Sequence, residues 1–65
     1  MGRKALNNWH VYCWNGTEFD LVWFDLERSE AHNLIAWRNR RAEDSSSPIR
    51  YVMCKDGDPP RLPAR

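Results

Sequence analysis

The dipeptide Asn15-Gly16 lies between two runs of aromatic and β-branched residues, and it constrains the fold more than any other feature of the chain. Asn-Gly is the strongest short signal for a β-hairpin, because both residues tolerate the positive φ angles of tight hairpin turns. The run 8–14 before it and the run 17–26 after it have the composition of strands. The sequence therefore predicts a hairpin.

The register of this hairpin decides which side chains share a face of the sheet. A two-residue turn would pair Trp14 with Thr17 and would mix acidic with apolar residues on one face. A three-residue loop with Gly16 in a bulge would instead pair Val11 with Phe19, and we expect this register. Its apolar face would carry Trp9, Val11, Cys13, Phe19, Leu21 and Trp23. Its other face would carry His10, Tyr12, Glu18, Asp20, Val22 and Phe24, with His10 opposite Asp20.

A helix and a third strand are predicted after the hairpin. Ser29 is a good helix N-cap, Glu30 complements the helix dipole in the first turn, and arginines complement it in the last turns. The pattern predicts a helix from about 30 to 41, with one apolar stripe made of Ala31, Leu34, Ile35 and Ala42. A polar loop then ends at a proline, and the alternating run 49–55 predicts the third strand.

The order strand, strand, helix, strand predicts an α+β fold. A right-handed crossover would place the third strand beside the first, giving a three-stranded antiparallel or mixed sheet of spatial order 2-1-3 with the helix packed on one face. The 65 residues allow one small domain, expected at 8–55. It would lie between a flexible N-terminus at 1–7 and a disordered proline-rich tail at 56–65.

Composition excludes several classes of protein. No run approaches the ~20 consecutive apolar residues of a membrane span, and no secretory signal is present, so the cytoplasm is the expected compartment. Ten lysines and arginines balance nine acidic residues, whereas dedicated nucleic-acid binders usually have a basic excess. Cys13 and Cys54 are too few for a disulfide scaffold, and with His10 and His32 they lack the spacing of a zinc site. We expect no metal and no cofactor.

Catalytic motifs are absent from the sequence. Neither the glycine-rich phosphate loops nor the paired-histidine helix of zinc proteases occurs. His10 opposite Asp20 would resemble the orienting half of a catalytic triad, but no serine lies within reach of it. Such a pair on an exposed sheet is usually a surface contact. The chain is therefore expected not to be an enzyme.

The sheet carries more aromatic surface than one helix can cover. A bare apolar face is a lost stabilisation in so small a domain, and it is also a sticky surface. We therefore expect a small interaction module that binds or regulates a partner protein, or forms a homodimer. The expected contact residues are Tyr12, Trp14, Val22, Phe24 and Val52. Covering by the tail or by residues 2–6, and harmless exposure, are the alternatives that the sequence leaves open.

Single-stranded nucleic acid is the alternative ligand. Single-strand binders stack bases on the aromatic residues of a sheet and hold phosphates with nearby cations. The residues for this alternative are Trp37, Arg38, Arg40, Arg41 and Arg50. Glu18 and Asp20 would repel phosphates from the same face. The arginines also suit a helix C-terminus, and the spacing of Trp37 and Arg41 predicts a cation–π pair.

Overall fold

The computed structural model describes residues 7–62, and its elements confirm the predicted order. They are β1 (Trp9–Trp14), β2 (Phe19–Leu26), α1 (Arg28–Asp44) and β3 (Arg50–Lys55). The sheet order is β2-β1-β3, and β1 is antiparallel to both of its neighbours, so the α+β fold with a 2-1-3 sheet is confirmed. Within 7–62, no helix has both the length and the apolar character needed to cross a membrane. The expectations for 1–6 and 63–65 lie outside the described residues.

The hairpin turn differs from both registers considered for it. Trp14 pairs with Phe19, so four residues separate the first paired positions. The Asn15 N–H donates to the Glu18 carbonyl oxygen at 3.1 Å. The Asn15 side-chain oxygen accepts hydrogen bonds from the backbone N–H groups of Thr17 and Glu18, both at 2.9 Å. The side chain thus supplies bonds that a tight two-residue turn would make with backbone, and this fixes the longer loop.

This register corrects the expected faces near the turn. The pairs are Trp14 with Phe19, Cys13 with Asp20 and Tyr12 with Leu21. Directly paired residues point to the same face, so Phe19 and Leu21 lie opposite the helix and Asp20 lies on the helix side. The expected placement of these three residues was wrong, because the pairing differs by an odd number of residues and every such shift exchanges the faces.

The first of two irregularities in the β1–β2 ladder returns Trp23 to the predicted orientation. The register shifts between Tyr12 and Val11, where Val11 pairs with Trp23, and again before Trp9, which pairs with Leu26. Extra residues in one strand of a ladder form bulges. Val22 lies at the first shift, and an aspartate with a φ of 58° lies at the second. Trp23 therefore faces α1, as predicted.

α1 packs on the face of the sheet that carries Val11, Trp23 and Tyr51. Val11 is completely buried, and Ala31 and Ala42 are the buried residues of the helix. Small side chains at these two positions let the helix backbone approach the sheet closely. The other two members of the predicted apolar stripe are half-buried: Leu34 and Ile35. The core is consequently thin, and few side chains are fully enclosed.

The N-terminus of α1 begins earlier than predicted. Glu27, not Ser29, is the N-cap, and Ser29 lies within the first turn. The Glu30 side chain accepts a hydrogen bond from the Glu27 backbone N–H at 3.0 Å, and the Ala31 N–H donates to the Glu27 carbonyl oxygen at 2.9 Å. A carboxylate that accepts a hydrogen bond from a backbone N–H at the helix N-terminus stabilises the first turn. Glu30 therefore lets the helix begin at an earlier residue than predicted.

The C-terminus of α1 also extends past the predicted end. The Ser46 N–H donates to the Glu43 carbonyl oxygen at 3.0 Å, and the Ser47 N–H donates to the Ala42 carbonyl oxygen at 2.8 Å. These two bonds form a Schellman motif, which closes the last turn. Ser46 occupies the left-handed position of the motif with a φ of 56°, where glycine is the residue without steric cost.

Asn39 of α1 closes the outer edge of β3. Its Nδ2 donates to the Tyr51 carbonyl oxygen at 2.9 Å, and its Oδ1 accepts from the Tyr51 backbone N–H at 2.6 Å. One amide side chain thus makes the two bonds that a neighbouring strand would make with this residue. The bonds fix the helix over β3 and satisfy backbone groups that are partly shielded from water.

The beginning of the expected tail is held at the end of the sheet. The Asp56 N–H donates to the Asn8 carbonyl oxygen at 2.7 Å, which extends the β1–β3 ladder by one pair. The Asp58 N–H then donates to the Lys55 carbonyl oxygen at 2.9 Å and forms a turn. The last strand therefore passes directly into a turn before the proline-rich residues.

Replacing Asn39 with Ala should lower the free energy of unfolding by about 1–3 kcal/mol, because it leaves the Tyr51 backbone groups without partners. Asn33→Ala is the matched control, since Asn33 is an exposed residue of the same helix. Urea unfolding followed by tryptophan fluorescence measures both variants. Equal stabilities of the two variants would contradict the role given to Asn39.

Replacing Ser46 with Gly should raise the free energy of unfolding by about 0.5–1 kcal/mol, because glycine adopts the left-handed conformation without strain. Ser46→Ala keeps a β-carbon at the same φ and should give no gain. Thermal unfolding of the two variants beside the natural chain tests this. A gain in both would show that the serine hydroxyl, and not the backbone conformation, limits stability.

Candidate protein-interaction surface

The sheet face turned away from α1 is apolar, and we call it the open face. The strand pairings place on it His10, Tyr12, Trp14, Phe19, Leu21, Arg50, Val52 and Cys54. Phe24 joins them, because it follows the helix-facing Trp23 and side chains alternate along a strand. The open face is thus richer in apolar residues than the sequence predicts, since Phe19 and Leu21 lie on it.

The exposed part of this surface belongs to β2. Leu21 and Phe24 are 50% and 60% exposed, and Val22, at the register shift beside Leu21, is 40% exposed. Val52, on β3, is only 7% exposed, so this expected contact residue is buried although it lies on the open face. Two of the expected contact residues are half-buried: Tyr12 and Trp14.

Trp14 and Phe19 form an aromatic pair beside the turn. Their ring centroids are 4.8 Å apart and their planes are tilted by 53°, within the range that aromatic pairs prefer. Sequence reasoning missed Phe19 as a surface residue, because its face depends on the length of the loop. The signal that would have identified it is the Asn15 side chain, which favours a longer turn when it bonds to the backbone.

His10 has other partners than the expected Asp20. Its Nε2 lies 3.1 Å from Oδ1 of Asp56, and its Nδ1 accepts a hydrogen bond from the Asp25 backbone N–H at 3.3 Å. Since Nδ1 accepts, a neutral ring carries its proton on Nε2 and donates it to Asp56. Both nitrogens are thus occupied by structural contacts, and Asp20 lies on the opposite face.

The arginines of the alternative site mostly contact their own chain. The guanidinium of Arg38 lies 4.8 Å from the centroid of Trp23 and 5.3 Å from that of Trp37. Arg41 lies 5.2 Å from the centroid of Trp37, which confirms the predicted cation–π pair. Aromatic rings and guanidinium groups thus alternate in a stack that runs from the sheet to the exposed side of the helix. Its order is Trp23, Arg38, Trp37 and Arg41.

Arg50 and Arg40 complete the set of alternative residues. The Arg50 guanidinium donates to the carbonyl oxygens of Ser47 at 2.8 Å and Ile49 at 2.6 Å. Arg50 thereby stabilises the loop before β3. Arg40 is exposed, and it forms no ion pair or cation–π contact with another of residues 7–62. The structure therefore does not bring the five residues together as one surface.

The two cysteines lie on opposite faces of the sheet and are both free. Cys54 is buried beside His10 on the open face, and Cys13 is half-buried on the helix side. Burial raises the pKa of the Cys54 thiol above its ordinary 9.0, and the nearby Asp58 carboxylate raises that pKa further. The raised pKa keeps the thiol protonated in the folded chain at a pH where the thiol of the unfolded chain ionises. The free energy of unfolding should therefore fall as the pH rises above 9.0.

No protein-family model, curated protein or solved structure matches this chain. The part of the chain that the structure describes also contains no group of three or more histidine, cysteine or acidic side chains placed to hold a metal ion. The interpretation of the open face therefore rests on its own residues.

Cys54 should react with iodoacetamide several-fold more slowly than Cys13 at pH 8, because it is buried and its pKa is raised. The variants Cys13→Ser and Cys54→Ser each retain one thiol, and mass spectrometry gives the rate for each. In concentrated urea the two rates should become similar. Equal rates in the folded variants would contradict the protection of Cys54.

Proposed function

We propose that the chain is a small, non-catalytic module that binds a partner protein, or a second copy of itself, through the open face. The observation that carries the proposal is the exposure of three apolar residues close together on β2, Leu21, Val22 and Phe24. Contiguous apolar surface of this kind is typical of interaction sites on small proteins. The aromatic pair of Trp14 and Phe19 lies beside it and is held in place by its own packing.

The expected anchor of the interface is Phe24. Aromatic side chains dominate interface energetics when a partner encloses them, and Phe24 is the most exposed large apolar residue of the sheet. Leu21 extends the contact along the same face. Tyr12 would contribute its ring from the central strand. The buried Val52 would support the surface from beneath instead of contacting the partner directly.

Single-stranded nucleic acid is the second candidate, and one observation favours it. Asp20 lies on the helix side, so one carboxylate that was expected to repel phosphates is absent from the open face. Against this candidate, Arg38 and Arg41 stack on tryptophan and Arg50 bonds to backbone carbonyls. A protein partner is therefore the function that the surface supports better.

The proposal places the module in the cytoplasm. Cys13 and Cys54 are both free. Free cysteines are typical of proteins in reducing compartments. The non-catalytic part of the proposal is supported by His10, whose two ring nitrogens are engaged by Asp56 and the Asp25 backbone.

Replacing Phe24 with Ser should weaken partner binding or self-association by about tenfold or more, because ~1.5–3 kcal/mol is gained when such a side chain is fully enclosed. The matched control is Trp37→Ser, which removes an aromatic residue of similar exposure, 55% against 60%, from the helix. Sedimentation at several concentrations measures self-association, and affinity capture followed by mass spectrometry compares retained proteins.

The proposal requires that a defined protein, or the dimer, is retained by the natural chain and by Trp37→Ser but lost with Phe24→Ser. Equal retention by all three chains would contradict it. A salt-sensitive complex with a random single-stranded oligonucleotide, lost with Phe24→Ser in the absence of any protein partner, would establish the second candidate instead.

A further inference from the structure

The two outer edges of the sheet differ in whether the rest of the chain forms hydrogen bonds with them. At the β3 edge, Asn39 bonds to the outward backbone groups of Tyr51. At the β2 edge, no group outside the β1 ladder bonds to the backbone of residues 19–24 within the described part of the chain. α1 packs against β3 and β1, so it does not cover this edge. The β2 backbone is therefore open to pairing with another strand.

The open edge is also uniformly acidic. Residues 18–27 contain four carboxylates and neither lysine nor arginine: Glu18, Asp20, Asp25 and Glu27. Among residues 7–62, the one ion pair joins His10 to Asp56, so none of these four carboxylates is neutralised by a basic side chain. Between them lie the exposed apolar residues of β2. An occupant that matches this edge must therefore combine apolar with basic side chains.

We infer that the partner supplies an extended segment of alternating apolar and basic residues, which adds to β2 as a fourth strand. This inference rests on the proposed function, because the added strand would continue the open face. Backbone hydrogen bonds to β2 would provide the pairing, as in other cases of strand addition. The apolar side chains of the segment would contact Leu21 and Phe24, and its basic side chains would lie near Asp20 and Asp25.

A second copy of β2 does not match the same edge. An antiparallel pairing that places Leu21 opposite Phe24 of the other copy also places Asp20 opposite Asp25. Like charges directly opposite each other destabilise a strand pair. The bulges at Val22 and Asp25 act against regular pairing with any strand, so the charges are what distinguish a basic segment from a second copy. The edge thus disfavours its own copy, whereas a basic segment would be attracted by the same carboxylates.

Three short synthetic peptides test the inference with the full chain. The first alternates valine with lysine over eight residues, and the second alternates valine with glutamate. A third has the sequence of the first but is N-methylated throughout, so that it lacks backbone donors. Fluorescence anisotropy gives the affinity of each peptide, and amide hydrogen exchange followed by NMR shows whether the β2 amides become protected.

Charge variants locate the site on the protein. Asp20→Asn combined with Asp25→Asn should weaken the lysine peptide roughly two- to tenfold at low salt, the range expected from two exposed charge pairs. Asparagine at position 25 tolerates the positive φ of that residue. The control combines Glu43→Gln with Asp44→Asn, which removes the same charge from the exposed end of α1.

The inference is supported if the lysine peptide binds, the other two do not, β2 amides gain protection, and only the β2 charge variant weakens binding. It is overturned if the lysine peptide fails to bind at millimolar concentration, because the acidic and bulged edge would then serve only to prevent aggregation. Equal binding of the lysine and glutamate peptides, or equal losses in both charge variants, would also overturn it.

The capture experiment with Phe24→Ser separates this inference from the proposed function. If a protein partner depends on Phe24 while the lysine peptide does not bind, the open face is an interaction surface and the strand addition is wrong. If the lysine peptide protects the β2 amides while no captured protein or dimer depends on Phe24, the edge binds strands and the proposed use of the open face is wrong.

Discussion

Asn39 ties the helix to the outer edge of β3 through both of its amide atoms, and the asymmetry of the molecule depends on this contact. A single helix cannot cover the whole of a three-stranded sheet. Because α1 is held over β3 and β1, it bonds to the outer edge of β3 and not to that of β2 within residues 7–62. The exposed side chains of β2 lie on the face turned away from the helix. The closure of one edge is thus directly related to the availability of the other.

The core of the domain is thin, and this limits the stability that the chain can reach by itself. Val11 is the only large side chain of residues 7–62 that is completely buried. Small domains bury a smaller fraction of their surface than large ones and are correspondingly marginal in stability. Enclosing Leu21 and Phe24 in an interface would add apolar burial that the chain cannot provide by itself. Stability and binding would then be linked, since a partner that binds only the folded chain also stabilises it.

The basic residues of the helix have a structural use that is distinct from the open face. Arg38 contacts both Trp23 on the sheet and Trp37 on the helix surface. Arg41 also contacts Trp37. Cation–π contacts of this kind let a long polar side chain take part in packing against the sheet. The aromatic and basic residues that suggest nucleic-acid binding in the sequence are thus distributed over different parts of the fold.

The sequence by itself determined the strand and helix order, the 2-1-3 sheet and the cation–π pair of Trp37 with Arg41. These features follow from local patterns and from the handedness of the crossover, which are visible in residues close together in the chain. Only the tertiary structure decided the strand register and the partners of His10. The Asn15 side chain and the bulges of β2 set that register, and a shift of one residue exchanges the two faces of a strand. Side-chain bonds across the fold, such as that of Asn39, leave no periodic signal because their partners are distant in sequence.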